Sequence, residues 1–151
     1  MLTIAVLVVG VAVRDARMPT TRDCPSADFV RAALAVPVGP PSSTSETNFL
    51  ACTYPARGAR VLSIDASSIP KSGSSTTPCR SRPTIPALGR GACDMSGTSG
   101  TSPEGGSVLV QPASTPGLQI QFTSYTARIT LAKLEALAAK TLKTHPLPIA
   151  V

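Results

Sequence analysis

Alternating apolar and polar positions predict strands in the middle of the chain. In 118–123, written LQIQFT, three apolar residues alternate with three polar residues, which is the pattern of a strand with one buried and one solvated face. Turn residues at 55–58 predict a hairpin. The other predicted strands are 48–54, 60–65, 107–111 and a short stretch around 92–95. The predicted loops, which are poor in large apolar residues, are 39–47, 67–83 and 96–106.

Helical periodicity appears on both sides of these strands. Residues 27–34 carry apolar residues at helical spacing, with Ser26 as the N-cap and Asp28 in the first turn. The clearest helix is 131–142 (LAKLEALAAKTL), which Thr130 caps and whose apolar stripe we expect to pack on the sheet. The order of elements predicts an α+β fold with a small antiparallel sheet of about four to five strands, a short N-terminal helix and a longer C-terminal helix.

The N-terminal segment is apolar but short. Residues 1–13 (MLTIAVLVVGVAV) fall below the roughly 20 residues that a membrane-spanning helix needs, and they match the apolar region of a signal peptide. We predict a signal-like or tether segment at 1–13, a linker at 14–23, a single domain at 24–143 and a tail at 144–151. This interpretation implies an extracellular or cell-envelope location, with or without a membrane tether. The alternative for 1–13 is a buried strand of a cytosolic domain.

The four cysteines support export. They allow three pairings, of which we favour Cys24–Cys52 and Cys79–Cys93 because the partners are close in sequence and lie at segment boundaries. Two such bonds would stabilise the domain in an oxidising compartment. Free thiols in a reducing compartment are one alternative. Zinc is the other, although the cysteines are widely spaced and His145 is the only histidine in the sequence.

The chain is basic, with 14 Lys and Arg against 8 Asp and Glu and a net charge of +6. The basic residues are dispersed and only 3% of the residues are aromatic, so neither a basic arm nor a base-stacking platform is present and nucleic acid is not an expected partner. If Cys79 pairs with Cys93, then Arg80, Arg82 and Arg90 are candidates for an anion-binding patch. Such a patch would suit phosphate-rich wall polymers or anionic lipid head groups; the alternative is ordinary solvated arginines.

Catalytic motifs are absent from the sequence. It contains neither Gly-x-Ser-x-Gly nor the spacing of a phosphate-binding glycine loop, and the carboxylates Asp65, Asp94, Glu104 and Glu135 lie on different predicted elements. We therefore predict a non-enzymatic domain without cofactor or metal, which binds a cell-envelope polymer, an anionic lipid, a protein partner or another small ligand. The alternative is an enzyme that acts on cell-envelope material through carboxylates or a Ser/Lys pair.

Four segments occur in an order that is typical of one protein family. Cys24 opens a short helix that ends in LAVPV, and Cys52-Thr53-Tyr54 lies on the first predicted strand. The segment 85–92 reads IPALGRGA, and the final helix contains LEALA at 134–138. Together these segments resemble an actinobacterial secreted or lipoprotein-like domain of unknown function, the family numbered 3558, over about residues 24–143.

The resemblance implies a Cys24–Cys52 disulfide and a cell-envelope location. It implies no activity, because the function of the family is unassigned. Two positions depart from the family pattern. Ala87 stands where the family usually has glycine, and the residues at 21–23 are not the small and apolar residues that precede a lipid-modified cysteine, so we do not expect Cys24 to carry a lipid.

Overall fold

The computed structural model describes residues 24–69, 79–97, 105–113 and 115–144. These residues form a six-stranded antiparallel sheet with two helices, which is the predicted α+β class with one strand more than the upper predicted number. The signal-like segment at 1–13 and the linker at 14–23 lie outside the described residues. So does the tail at 144–151, except for Thr144, which is the last residue of the second helix.

The described residues contain two helices and six strands. In chain order they are α1 (Ala27–Leu34), β1 (Ser42–Glu46), β2 (Phe49–Ala56), β3 (Ala59–Ser68), β4 (Cys93–Asp94), β5 (Ser107–Val110), β6 (Leu118–Ser124) and α2 (Leu131–Thr144). A single 3-10 turn at Pro86–Leu88 precedes β4. The strand order across the sheet is β1-β2-β3-β6-β5-β4, and every neighbouring pair is antiparallel. The strands β1 and β4 are therefore the edges of the sheet, and a short segment at 125–130 connects β6 to α2.

Both helices begin at the predicted caps. The Ser26 hydroxyl accepts a hydrogen bond from the Phe29 amide at 3.2 Å, which satisfies one of the free N–H groups at the start of α1. In α2 the Lys133 amide donates to the Thr130 hydroxyl at 3.4 Å. The first helix ends at Leu34, where Ala35 adopts a left-handed φ of 52°.

The prediction of a loop over 39–47 is wrong, because these residues include the strand β1. Ser42–Glu46 is an edge strand whose five residues are all exposed, and it pairs with β2 so that Ser43 lies opposite Cys52. An edge strand without a buried face needs no apolar alternation, because its backbone hydrogen bonds alone hold it to the sheet. Hydrophobic patterning therefore gives no signal for this strand.

One face of the sheet packs against both helices and forms the core. On β6 the predicted alternation is confirmed for Leu118, Ile120 and Phe122, which are buried on this face. The neighbouring strands add apolar residues at matching register positions, and α2 covers them with Leu134 and Leu137, as its predicted stripe requires. The sheet residues of this core are Leu50, Cys52, Tyr54, Leu62, Ile64, Ala66, Val108, Val110, Leu118, Ile120 and Phe122.

The two disulfides have the predicted pairing. Cys24–Cys52 joins the residues before α1 to the buried face of β2, and Cys79–Cys93 joins the preceding loop to β4. The Tyr54 hydroxyl donates to the carbonyl of Pro25 at 2.6 Å beside the first bond. Burial raises the pKa of the Tyr54 phenol, which keeps it neutral and able to donate. The start of α1 is thus fixed to β2 by one covalent bond and one buried hydrogen bond.

Candidate functional site

An apolar cleft lies at the end of the sheet where the β2–β3 hairpin turns. Three segments meet there: the chain after α1, the hairpin turn with the start of β3, and the turn after β6. They enclose about 450 Å³. We call this space the hairpin cleft; its lining residues are Val36, Pro37, Val38, Gly39, Ala56, Arg57, Val61, Thr126 and Arg128.

The first wall of the hairpin cleft is an extended segment fixed to β2. Val36 and Val38 alternate with the exposed Pro37, and both valines are buried. The Gly39 amide donates to the carbonyl of Pro55 at 2.6 Å. A Cβ at Gly39 would lie 3.3 Å from the Pro55 ring, so glycine permits this close approach. The register of β2 shifts at Pro55, which has no N–H to offer the sheet.

The second wall is the β2–β3 turn, which holds Arg57 in an unusual backbone conformation. The two turn residues, Arg57 and Gly58, have φ angles of 50° and 79°. Positive φ at both positions is the pattern of a type I′ turn, in which Asn or Asp followed by Gly is preferred. An arginine at the first position is strained by roughly 1–2 kcal/mol relative to a residue without this steric penalty. Arg57 lines the cleft and is exposed to solvent.

The third wall is a turn locked by a buried serine. The Ser124 hydroxyl donates to the Thr126 carbonyl at 2.8 Å and accepts from the Thr126 amide at 3.3 Å. The Tyr125 amide donates to the carbonyl of Val61 at 3.0 Å, which ties this turn to β3. The Arg128 amide donates to the Thr126 hydroxyl at 3.4 Å. These bonds fix the backbone that carries the second arginine of the cleft.

Arg57 and Arg128 give the apolar cleft a cationic rim. Both arginines are exposed. The ion pair found among the described residues joins Arg31 to Asp28 and involves neither rim arginine. Arg60, which is close in sequence to this site, lies 4.0 Å above the ring of Tyr125 and attracts the Asp65 carboxylate. In the described part of the chain, therefore, the two rim arginines face solvent without a carboxylate partner.

The second face of the sheet carries a row of polar side chains. Ser107, Thr123 and Ser63 are opposite one another on β5, β6 and β3, and all are at most 3% exposed. The hydroxyls of Ser107 and Thr123 are 3.2 Å apart, and Gln121 donates to Ser107 at 2.9 Å. These bonds explain why Thr123 is buried, although the alternation of β6 places it on the predicted solvated face.

Asp65 extends this row on β3. Its carboxylate accepts a hydrogen bond from Ser63 at 3.1 Å. Burial raises the pKa of Asp65, while the Ser63 hydrogen bond and the charge of Arg60 act in the opposite direction. The lining of the hairpin cleft does not include this carboxylate.

The carboxylates named for the alternative hypothesis of an enzyme do not form a cluster among the described residues. Asp65 lies on β3 and Asp94 on β4, three strand spacings apart, which is about 14 Å. The register pairs Asp65 through β6 and β5 with Cys93, so Asp94 lies on the other face of the sheet. Its carboxylate accepts from the Ser96 amide at 2.8 Å. Glu135 is on α2, and Glu104 lies outside the described residues.

The predicted arginine patch is placed in two different surroundings. The Cys79–Cys93 bond that it requires is present, and Arg80 is exposed beside it. Arg82 donates to the Ser96 carbonyl at 3.5 Å. Arg90 instead lines a second cavity of about 800 Å³ with Leu88, Gly89, Gly91, Gln111, Pro112, Ala113 and Leu142. Binding of an anion at Arg80, Arg82 and Arg90 stays a prediction.

The sequence prediction does not contain the hairpin cleft. Its residues come from three segments that only the sheet topology brings together, so no local motif marks them. Two signals were available: the apolar run LAVPV continues past the end of a short helix, and Arg57 precedes Gly58 in a tight turn where Asn is usual.

Within the described ranges no group of three or more His, Cys, Asp or Glu side chains is placed to hold a metal ion. No helix in these ranges is long and apolar enough to cross a membrane. Comparisons of the chain with protein-family models, with curated proteins and with solved structures found no match.

Proposed function

We propose that this chain is a non-enzymatic, disulfide-stabilised domain of the extracellular space or the cell envelope, and that it holds a small apolar ligand in the hairpin cleft. The cleft is the observation that carries the proposal. Its walls are fixed by a disulfide-anchored helix, a hairpin and a serine-locked turn, so the site exists before a ligand arrives. A preformed site loses little affinity to the cost of ordering its walls.

The size and lining of the cleft favour a single-chain ligand. About 450 Å³ lies in the lower part of the range of small-molecule sites, roughly 300–1,000 Å³. The floor is aliphatic, formed by Val36, Val38 and Val61. Each buried methylene contributes about 0.8 kcal/mol, so eight methylenes supply roughly 6 kcal/mol before the cost of association. Without any cost of association, about 6 kcal/mol would correspond to a Kd of about 40 μM, so we expect an affinity in the millimolar range for a simple alkyl chain.

The disulfides support a location outside the reducing cytosol. All four cysteines are paired, and structural disulfides persist mainly in oxidising compartments. The apolar segment at 1–13 and the family resemblance agree with this proposal. The direct test is the intact mass of the protein from its native host after alkylation without reduction. A chain in the medium or the membrane fraction without alkyl adducts supports export, and a cytosolic chain with four adducts contradicts it.

Ligand entry into the cleft is testable with an introduced fluorophore, because the sequence contains no tryptophan. Pro37 is exposed at the cleft, and Pro116 is exposed in the turn at the opposite end of β6. The variants Pro37→Trp and Pro116→Trp therefore form a matched pair. Oxidised protein would be titrated with decanoate and with decyl glucoside, both below their micelle concentrations.

The proposal predicts a saturable blue shift of tryptophan emission in Pro37→Trp with at least one of these ligands, and no shift in Pro116→Trp. The shift arises because an alkyl chain replaces water around the indole. Unchanged emission in both variants contradicts the proposal. An equal shift in both variants also contradicts it, since it would indicate adsorption without a defined site.

A further inference from the structure

We propose that the hairpin cleft is selective for single-chain lipids with an anionic head group, and that Arg57 and Arg128 bind that head group. This inference rests on the proposed function, which places an alkyl chain in the cleft, and adds the chemistry of the ligand head. A carboxylate or a phosphate monoester would serve, since a guanidinium donates two parallel hydrogen bonds to either.

The first support is the division of the cleft into an apolar floor and a cationic rim. Val36, Val38 and Val61 offer contacts to an alkyl chain, whereas Arg57 and Arg128 are exposed at its mouth. A ligand that satisfies both parts must be amphipathic and negatively charged at one end. A soluble polyanion would leave the floor unused, and a neutral apolar ligand would leave the arginines unpaired.

The second support is that neighbouring arginines have protein partners and the rim arginines do not. Arg31 pairs with Asp28, and Arg60 stacks on the ring of Tyr125. Across the described ranges, no carboxylate contacts Arg57 or Arg128. A ligand anion at the rim would therefore gain two cationic partners without breaking an existing ion pair. The net charge of +6 adds a field that favours the approach of anions.

The third support is the backbone of Arg57. Arg57 has a positive φ. A type I′ turn with Arg-Gly is less favourable than one with Asn-Gly, because the short polar side chain of asparagine can hydrogen-bond locally at positive φ and that of arginine does not. The sequence therefore keeps a cation at this position at the expense of local stability. Strained residues concentrate at functional sites, which is consistent with a binding role for this guanidinium.

The size of the cleft restricts the lipid to one chain. About 450 Å³ is suited to a small ligand, and we expect this volume to accept one alkyl chain rather than two. The inferred ligand is thus a fatty acid or a single-chain phosphate ester. Two sources of the anion, carboxylate and phosphate, are distinguished by separate ligands in the test.

The test compares four ligands that share a decyl chain and differ in the head group: decanoate, decyl phosphate, decyl glucoside and decyltrimethylammonium. Their affinities would be measured by emission of the Pro37→Trp protein at low and at physiological salt. We expect at least one anionic ligand to bind about tenfold more tightly than the glucoside, and the cation to bind most weakly. Higher salt is expected to reduce both the anions' gain and the cation's loss in affinity relative to the glucoside, whose own affinity should stay the same.

Matched double variants locate the anion site. Arg57→Asn with Arg128→Asn removes the rim charges, and Arg80→Asn with Arg90→Asn removes the same number of charges from the predicted arginine patch. We expect the rim variant to lose the tenfold preference for the anion and to keep its affinity for the glucoside. The patch variant is expected to bind as the parent does. Asparagine suits the positive φ at position 57, so the rim variant is expected to fold.

The outcomes separate the two proposals. If all four ligands bind equally, the head-group inference is overturned and the proposed function stands. If none binds, the proposed function fails and the inference with it. If the patch variant, rather than the rim variant, loses the anion preference, the anion site is not at Arg57 and Arg128 and the inference is overturned.

Discussion

Removal of the Cys24–Cys52 disulfide is expected to destabilise this fold more than removal of the Cys79–Cys93 disulfide. The bond closes a loop with a sequence separation of 28. In the chain-entropy model this restriction of the unfolded chain contributes about 3.6 kcal/mol at 25 °C, against about 3.0 kcal/mol for the separation of 14 at Cys79–Cys93. For a domain of this size, about 3.6 kcal/mol corresponds to a fall of about 14 °C in Tm.

The position of the bond adds to the entropic effect. Cys52 is fully buried on the helix-covered face of β2, so alanine at this position also loses packing contacts. The Tyr54 hydroxyl depends on the same attachment, because its acceptor, Pro25, directly follows Cys24. We therefore expect the double variant Cys24→Ala, Cys52→Ala to lose at least as much stability as the loop entropy indicates.

The assay is urea denaturation of the oxidised protein, followed by far-UV circular dichroism. The variant Cys79→Ala, Cys93→Ala serves as the comparison, since it also removes one bond. A fall in the midpoint that corresponds to more than about 3 kcal/mol supports the reasoning. A loss below about 1 kcal/mol for the Cys24–Cys52 variant would refute it, because the attachment of α1 would then not depend on the disulfide.

Three further changes test other parts of the structure. Tyr54→Phe is expected to lower the free energy of unfolding by about 1–2 kcal/mol, since it leaves the buried carbonyl of Pro25 without its donor. Chemical denaturation measures the loss, and an unchanged midpoint would contradict a stabilising role of this hydrogen bond. Burial raises the pKa of Asp65, so the native state binds the proton more tightly than the unfolded chain and the carboxylate lowers stability as pH rises through its native pKa. Asp65→Asn is therefore expected to raise the free energy of unfolding at pH 7 by less than about 1 kcal/mol, because solvent screens this half-buried group. The gain should vanish below about pH 4, and denaturation at both pH values measures it; an equal increase at both would contradict this. Gly105→Ala would place a Cβ 2.0 Å from the carbonyl oxygen of Ser124 and is expected to cost about 1–3 kcal/mol, whereas a Tm equal to that of the parent would show that the backbone yields freely.

The sequence predicts best those elements whose apolar residues have a period. The strand β6 and the helix α2 each bury one side, so Leu118, Ile120 and Leu134 repeat at the spacing of their element. The disulfides are predicted because each joins neighbouring segments of the chain. The strand β1 is missed because all its residues are exposed and only pairing with β2 defines it.

The hairpin cleft is not predicted for a different reason. Val36, Val61 and Arg128 belong to segments that are far apart in sequence and meet only because β6 lies beside β3. Local sequence patterns predict the individual segments that form the walls, but they do not predict that these segments lie next to one another. The local signs are the apolar run LAVPV, which continues past α1, and Arg57 before Gly58; the unusual conformation of Arg57 becomes evident only with the φ angles.

The most direct measurement of ligand binding at this site is chemical-shift mapping by NMR. Oxidised ¹⁵N-labelled protein would be titrated with decyl phosphate and, separately, with decanoate, below their micelle concentrations. We expect the largest amide shifts at Val36, Val38, Gly39, Arg57, Val61 and 126–128, and we expect them to saturate together at one ligand per chain. Shifts that are largest at 88–91, Gln111 and Ala113, or that spread evenly over the surface without saturation, would contradict a binding site in the hairpin cleft.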